Sequence, residues 1–363
     1  MNYPLKTRQI CFFAIAFLPI TKLFMMSSVV ASVSKEDMWI SLLLNVIADF
    51  LTLFALLALV KNEEGTLKDI LTNAIGEKAT KILLLFYATY FIIKAIIPFN
   101  EQEAYVIQTL YLTMPNALAF LPVFIIPVYL SSKKLRVLGR CADIVWIFTL
   151  IGFILIIALS IGNINLNSLL PVGANNLNNI TKGSTKALVW FGDSAYFLFF
   201  LGNFNKDKNY RLKILLCFAL SLLFVLLFAV IFWCTFTSIA FRQRFALTEI
   251  SKYMTVINNI GRFDYFAIFL LLFGGVFSLS LPIFFASRIL ADVFNVKNKY
   301  ICPIILTAIV CFISIFLNKF FVSIENFLIN DAYIIFLIFG NVVPILIGLS
   351  TRLHTRRKIY EAQ

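Results

Sequence analysis

Long apolar runs separated by short polar segments make up most of the chain. A run of about 20 apolar residues is long enough for a helix to cross the hydrocarbon core of a bilayer. By this measure the chain contains about ten predicted membrane helices, which are the runs at residues 10–33, 39–60, 82–112, 117–131, 142–162, 185–203, 212–238, 264–291, 301–317 and 332–350. The pattern therefore predicts an all-α membrane protein with about ten transmembrane helices.

Two of these runs contain polar residues near their middle. The first run includes FLPITKLF at residues 17–24, with Pro19 and Lys22. The sixth includes LVWFGDSAYFLFFLG, with Gly192, Asp193 and Ser194. Hydrocarbon offers no partner to an unbonded backbone group or to a charged side chain, so we expect both helices to be interrupted at functional positions.

Ten helices divide into five plus five, and an odd number in each half makes the second half enter the membrane from the opposite side. Inverted repeats of this kind bind ligands where corresponding helices are interrupted, and the two interruptions lie about half the chain apart. The expected organisation is a single transmembrane domain, residues 1–363. It consists of repeat one at 1–162, an external loop at 163–183, repeat two at 184–350 and a cytoplasmic tail at 351–363.

The third predicted helix has a polar stripe. Its residues are spaced four, three, four and three apart, so they share one helix face, and they are Lys94, Pro98, Glu101, Tyr105 and Gln108. A charged stripe must face the bundle interior or a wet cavity, because each charge on the lipid side costs at least about 2.5 kcal/mol. Glu103 points about 160° away from Glu101, and the sequence supplies no partner for it.

The eighth predicted helix contains FGGVFSLSLP, in which Ser278 and Ser280 offer hydroxyl groups before Pro282. Small residues of this kind also suit plain helix packing.

Between the seventh and eighth helices, the segment 239–261 alternates apolar and polar residues at helical spacing. It predicts a surface helix on the outer face, either a lid or a passive interfacial helix.

These polar residues suggest a common site. We expect the Lys22 ammonium and the Asp193 and Glu101 carboxylates to meet near the membrane midplane and neutralise one another, and a small zwitterion to exchange for part of this network. The alternative is a permanent Lys22–Asp193 bridge that only holds two helices together. The candidate ligand-binding residues are Pro19, Ile20, Thr21, Lys22, Glu101, Tyr105, Phe191, Gly192, Asp193, Ser194 and Ser278. Glu101 and Asp193 are also the candidates for proton coupling.

The amino-acid composition excludes several classes of protein. Hydrophobic residues make up 61% of the chain, with 40 Phe and a mean hydropathy of +0.92, too much to bury in a soluble domain. Six isolated cysteines and a single histidine predict no metal site and no cofactor. Without a predicted soluble domain, a catalytic constellation has no place, so we do not expect an enzyme.

The distribution of positive charge predicts the topology. If the N-terminus is cytoplasmic, most Lys and Arg residues fall on cytoplasmic loops. The outer side then keeps only Lys35, Lys182, Lys186, Arg242, Arg244, Lys252, Arg262 and Lys319. We therefore expect both termini in the cytoplasm, and we attribute the net charge of +13 to topology and contact with the lipid bilayer rather than to nucleic acid.

Several segments together, in their order and spacing, resemble the B subunits of GerA-type spore germinant receptors. These receptors are grouped with the amino-acid permeases of the amino acid, polyamine and organocation superfamily. The segments are LPITKLF, the start of helix two at Asp37, Met38 and Trp39, IGEKATKILLLFY, NEQEAYVIQTLYLTMP, LGRCADI, SLLPV, FGDSAYFLF and IGRFDYF.

The resemblance implies a LeuT-like fold in which helices one, three, six and eight surround a small-molecule site. It implies that the protein senses or transports an amino acid or similar nutrient by alternating access in a bacterial inner membrane, either cytoplasmic or spore inner. A membrane-anchored soluble subunit and a lipoprotein subunit are the expected partners. The other function to be weighed is a structural or assembly subunit of a receptor complex with no ligand of its own.

Overall fold

The computed structural model describes residues 5–59, 66–109, 116–201, 204–252, 264–298, 300–316 and 318–361. Its helices are α1 (Thr7–Phe17), α2 (Met26–Ser34), α3 (Met38–Leu59), α4 (Leu67–Ile75), α5 (Glu77–Thr109), α6 (Asn116–Ser131), α7 (Leu135–Ser160), α8 (Leu177–Ala187), α9 (Ser194–Phe200), α10 (Tyr210–Phe236), α11 (Ala246–Lys252), α12 (Asp264–Phe294), α13 (Ile301–Phe316), α14 (Asn318–Asn330), α15 (Tyr333–Leu337) and α16 (Val343–Glu361). Two short parallel strands, β1 (Leu5–Lys6) and β2 (Phe204–Asn205), pair with each other.

Each predicted apolar run overlaps at least one of these helices. Among the described residues, six helical stretches are long and apolar enough to cross a membrane, and they are Met26–Leu59, Glu77–Ile107, Leu135–Asn163, Tyr210–Arg242, Gly274–Phe294 and Tyr333–Leu353. Large apolar side chains such as Leu51 and Ile154 are exposed on the outer faces of these stretches, as expected where lipid is the solvent. The prediction of an all-α membrane protein is confirmed.

The first apolar run is divided at its proline. Helix α1 ends at Phe17, a 3₁₀ turn covers Ile20–Lys22, and α2 begins at Met26. Pro19 lacks the N–H that would continue the α-helical ladder, so the chain tightens into a turn in which the Lys22 N–H donates to the Pro19 carbonyl at 3.0 Å. The turn places the Lys22 side chain in the protein interior.

The sixth apolar run is divided in a similar way. A 3₁₀ turn at Leu188–Trp190 follows α8, and α9 begins only at Ser194. Between them Gly192 has φ +80°, a left-handed conformation that glycine adopts without strain. A Cβ at Gly192 would lie 2.9 Å from the Cα of Gly340, which belongs to a π-helical turn, Ile338–Val342, between α15 and α16. The interruption therefore packs backbone against backbone.

The segment predicted as an external loop is hydrogen-bonded to neighbouring helices. Helix α8 packs against α2 and α3, and the side chains of Ser34, Ser41 and Asn45 donate to carbonyl groups of α8 at 2.9–3.1 Å. Because α8 runs from Leu177 to Ala187, it crosses the predicted boundary between residues 183 and 184. At the other end, α16 continues through the predicted tail as far as Glu361.

The described part of the segment predicted as a surface helix is more deeply placed than expected. A 3₁₀ turn covers Thr237–Arg242, α11 follows, and residues 253–261 lie outside the described residues. Phe245, Leu247 and Ile250 are buried within the protein, and the Ala246 N–H donates to the Phe24 carbonyl at 3.0 Å. Ile239 and Phe241 of the preceding turn are exposed, so the lid and the passive interfacial helix both stay predictions.

The close packing of α8 against α2 and α3 leads to a prediction about stability. A Cβ at Gly183 would lie 1.9 Å from the Ser34 hydroxyl oxygen, so Gly183→Val should force α8 away from α2 and α3. We expect the free energy of unfolding to fall by about 1–3 kcal/mol, the usual range for overpacking. The measurement is the melting temperature of the purified protein in detergent, which should be lower. The control is Asn178→Ala on the exposed side of the same helix. An unchanged melting temperature for Gly183→Val would contradict this packing.

Candidate functional site

The two interruptions meet through an ion pair. Lys22 is 0% exposed, and its ammonium donates both to the Asp193 carboxylate and, at 2.7 Å, to the Leu18 carbonyl. The same ammonium lies 5.3 Å from the centre of the Phe191 ring, within cation–π range. Lys22 and Asp193 are the residues that the sequence predicts to pair, and the structure brings them together.

A second lysine approaches Asp193 from α5. The Lys94 ammonium lies 3.3 Å from Asp193 Oδ1 and donates to the Phe191 carbonyl. It also lies 5.5 Å from the Tyr196 ring centre. The carboxylate of Asp193 is therefore held between two ammonium groups, one from the turn that follows α1 and one from α5.

A second carboxylate lies behind the interruption. Asp49 of α3 is fully buried, and its carboxylate accepts the Gly192 N–H at 3.0 Å and the Asp193 N–H at 3.2 Å. These are the amides that the break leaves without helical partners. The predictions from the sequence missed Asp49. Its signal was a lone carboxylate in the middle of the apolar run 39–60, because an ionisable residue inside a membrane segment is by default a functional candidate.

Four side chains form one charge cluster, defined by Lys22, Lys94, Asp49 and Asp193. Two ammonium groups and two carboxylates give a formal charge of zero. Removing charges from water costs several kcal/mol per ion, and their attraction offsets this cost only when geometry is good and the remaining hydrogen-bonding positions are filled. Backbone carbonyls and amides fill those positions here, so the protein itself satisfies the charge cluster.

A cavity lies beside the charge cluster. Its walls come from the end of α1 and the following turn, from α5, from the second interruption with α9, and from α12. They consist of Phe17, Leu18, Thr21, Lys94, Pro98, Val189, Trp190, Asp193, Tyr196, Ser278, Leu279, Leu281 and Pro282. Three of the predicted site residues, Thr21, Asp193 and Ser278, thus line the cavity together with Lys94, and most of the remaining surface is apolar or aromatic.

Glu101 does not join the charge cluster. It is 0% exposed, and its Oε1 accepts the indole N–H of Trp190 at 2.9 Å. Lys94 instead supplies the second contact to Asp193. The expected meeting of Glu101 with Lys22 and Asp193 is wrong, because Glu101 lies two helical turns beyond Lys94 on α5 and reaches the other side of the Trp190 turn.

The other predicted residues support the interruptions. Ile20 packs against Gly274 of α12, where a Cβ would come within 2.2 Å of its Cδ1, and the Ser194 hydroxyl donates to the Gly340 carbonyl. Tyr105 lies away from the cavity walls, with its ring 5.3 Å from Phe24 and 5.7 Å from Phe245. The side chain of Gln108 lies outside the described residues.

Glu103 is a further buried carboxylate of α5. Within the described part of the chain, neither of its carboxylate oxygens has a hydrogen-bond partner. Across the same residues no group of three or more His, Cys, Asp and Glu side chains is arranged to hold a metal ion.

Residues 5–322 match the model of the spore permease family, described as spore germination protein. A curated relative, spore germination protein KB of Bacillus subtilis (strain 168), is 24% identical over 276 residues, which cover 74% of this chain and 73% of the relative.

Two solved structures of Mhp1 are similar over nearly the whole chain. The inward-facing conformation is 11% identical, with a TM-score of 0.48 over 98% of this chain and 94% of Mhp1. The other is described as a nucleobase-cation-symport-1 family transporter in a closed conformation with bromovinylhydantoin bound. It is 12% identical, with a TM-score of 0.46 over 97% of this chain and 92% of Mhp1.

The charge cluster predicts coupled stability effects. Asp193→Leu should leave the two buried ammonium groups of the charge cluster with Asp49 as the remaining carboxylate. We expect it to lower the free energy of unfolding by roughly 3–5 kcal/mol, the range for breaking a buried pair. The double variant Lys22→Met with Asp193→Leu restores charge balance and should be more stable than Asp193→Leu alone. Melting temperatures of the purified variants in detergent measure both. A double variant as unstable as the sum of its single variants would show that the two residues are not coupled.

Proposed function

Because this chain belongs to the spore germination protein family, we propose that it is a membrane-embedded binding protein for a small amino acid or related nutrient. It is either a permease or a B subunit of a germinant receptor. The observation that carries this proposal is the charge cluster at the meeting point of two interrupted helices, with one ammonium and one carboxylate on a cavity wall. The family indicates a membrane protein rather than an enzyme.

The cavity suits a zwitterion. Lys94 and Asp193 line its wall, so the ligand carboxylate binds Lys94 and the ligand ammonium binds Asp193. Lys22 and Asp49 keep their contacts with the second interruption while this exchange occurs. The exchange leaves the total charge at zero, which a low-dielectric site requires. Trp190 and Tyr196 then contact the ligand side chain.

The helices that surround the cavity indicate how the ligand crosses the membrane in this proposal. The elements around the cavity belong to the first, third, sixth and eighth predicted runs, which supports the LeuT-like arrangement of two inverted five-helix repeats. In this proposal the repeats alternate access to the cavity around the two interruptions. The termini lie in the cytoplasm, the membrane is a bacterial cytoplasmic or spore inner membrane, and the partners are a membrane-anchored soluble subunit and a lipoprotein.

A second function, that of a structural or assembly subunit with no ligand of its own, is favoured by one observation. Lys22 and Asp193 are buried, and groups of the protein itself pair with both of them. Such a bridge is also what a permanent link between two helices requires.

Equilibrium binding separates the two functions. The purified protein is tested in detergent against a panel of radiolabelled amino acids, and we expect saturable binding of at least one of them. Asp193→Asn should then weaken binding by about 1.5–3 kcal/mol, about tenfold or more, because it removes a charged partner of the ammonium. The control is Asp143→Asn, which makes the same chemical change where Asp143 contacts Arg8 and Gln9.

Absence of binding to the wild-type protein, with variants that alter only assembly or stability, would contradict the ligand-binding function and support the structural one.

Uptake into liposomes separates permease from receptor. For a permease we expect accumulation driven by an inward proton gradient, with Glu101 and Asp193 as the coupling groups, because the Lys22 charge at the first interruption disfavours a sodium ion there. For a receptor we expect binding without accumulation. Uptake that needs sodium and ignores the proton gradient would contradict proton coupling.

A further inference from the structure

A second group of charges lies near the Leu188–Trp190 turn. It consists of Glu101 on α5, Glu325 on α14 and Arg244, which precedes α11. We call these three residues the outer cluster. Helix α14 packs against the Leu188–Trp190 turn, so the outer cluster and the cavity adjoin the same turn from opposite sides.

Arg244 is loosely held. Its Nη2 lies 3.8 Å from Glu325 Oε2, compared with about 2.7–2.9 Å for a good charged hydrogen bond. The Arg244 side chain is 42% exposed, whereas that of Glu325 is only 9% exposed. The carboxylate is therefore fixed inside the protein, and its counter-ion reaches it from the solvent side.

Glu101 has one carboxylate oxygen without a hydrogen-bond partner among the described residues. Its Oε1 is bound by Trp190, but within the described part of the chain Oε2 has no hydrogen-bond partner although Glu101 is fully buried. Glu325 and Arg244 both lie within electrostatic range of Glu101. Because Trp190 donates to Glu101 and also lines the cavity, Glu101 is the member of the outer cluster that adjoins the cavity wall.

With both carboxylates ionised, the outer cluster has a formal charge of −1, from Glu101, Glu325 and Arg244. Burial raises the pKa of Glu325, and the neighbouring Arg244 only partly offsets this rise. A buried carboxylate whose compensation is incomplete attracts a further cation. An ammonium group suits the position because it carries three N–H donors, whereas calcium needs six to eight oxygen ligands.

We propose that Glu101 and Glu325 form an outer cation site, which binds the ammonium group of an incoming ligand in exchange for the Arg244 guanidinium. The ligand then passes Trp190 to reach the cavity. This inference rests on the proposed function and deepens it, because it makes a primary amine the group by which the ligand is first recognised.

The test uses methylammonium as the probe, because it has the amine and lacks the carboxylate that Lys94 would bind. Purified full-length protein in detergent is titrated with methylammonium chloride at constant ionic strength, and tryptophan fluorescence reports binding beside Trp190. We expect a saturable change that disappears in Trp190→Phe. Glu325→Gln should weaken the binding at least about fivefold, and Arg244→Gln should strengthen it because the competing cation is gone.

The control variants separate the outer site from the cavity. Glu36→Gln makes the same substitution elsewhere on the outer face and should leave methylammonium binding unchanged. Asp193→Asn should also leave methylammonium binding at the outer site unchanged while it weakens amino-acid binding about tenfold or more. Opposite effects of Glu325→Gln and Arg244→Gln exclude a general folding defect, which would weaken binding in both variants.

Three results would overturn the outer site: no saturable change in the wild-type protein, no effect of Glu325→Gln, or loss of methylammonium binding in Asp193→Asn. Amino-acid binding by the same preparations is scored separately. If methylammonium binds and no amino acid does, the outer site stands and the proposed function fails. If amino acids bind and methylammonium does not, the proposed function stands and the outer site fails.

Discussion

A helix that is interrupted inside a membrane exposes amide groups that water cannot reach, and each unpaired group costs several kcal/mol. At the second interruption the Asp49 carboxylate accepts the Gly192 and Asp193 N–H groups. This contact allows the chain to leave the helix at that depth. It also fixes the backbone from which the Asp193 side chain reaches Lys22 and Lys94. The charge cluster, the close approach of Gly192 to Gly340 and the cavity wall all depend on it.

Two residues of the charge cluster line the cavity and the other two do not. Lys22 joins the two interruptions and Asp49 binds the second one, and neither lines the cavity, whereas Lys94 and Asp193 do. In the proposed function, a ligand with both charges replaces the Lys94–Asp193 contact without leaving an uncompensated ion. The charge balance that stabilises the protein on its own is thus the same balance that a zwitterion preserves. A permanent bridge and an exchangeable site therefore use the same contacts and differ in whether a ligand ever enters the cavity.

Sequence patterns predicted the interruptions and the Lys22–Asp193 pair, because a proline, a glycine and buried charges in apolar runs allow few other structures. They did not predict Asp49, because its partners are backbone amides that every residue except proline carries. They also placed Glu101 in the wrong cluster. Helical spacing puts Lys94 and Glu101 on one face of α5, but it does not show which of them lies level with Asp193. That level depends on how α5 packs against the second interruption, which only the tertiary structure shows.

The proposed function depends above all on a ligand replacing the contact between Lys94 and Asp193 in the cavity. The most direct measurement is an electron cryomicroscopy structure of the protein saturated with the amino acid it binds most tightly. We expect ligand density between the Lys94 ammonium and the Asp193 carboxylate, with the ligand side chain against Trp190 and the Asp49 contacts unchanged. Ligand density elsewhere, with the 3.3 Å contact between Lys94 and Asp193 intact, would contradict this exchange.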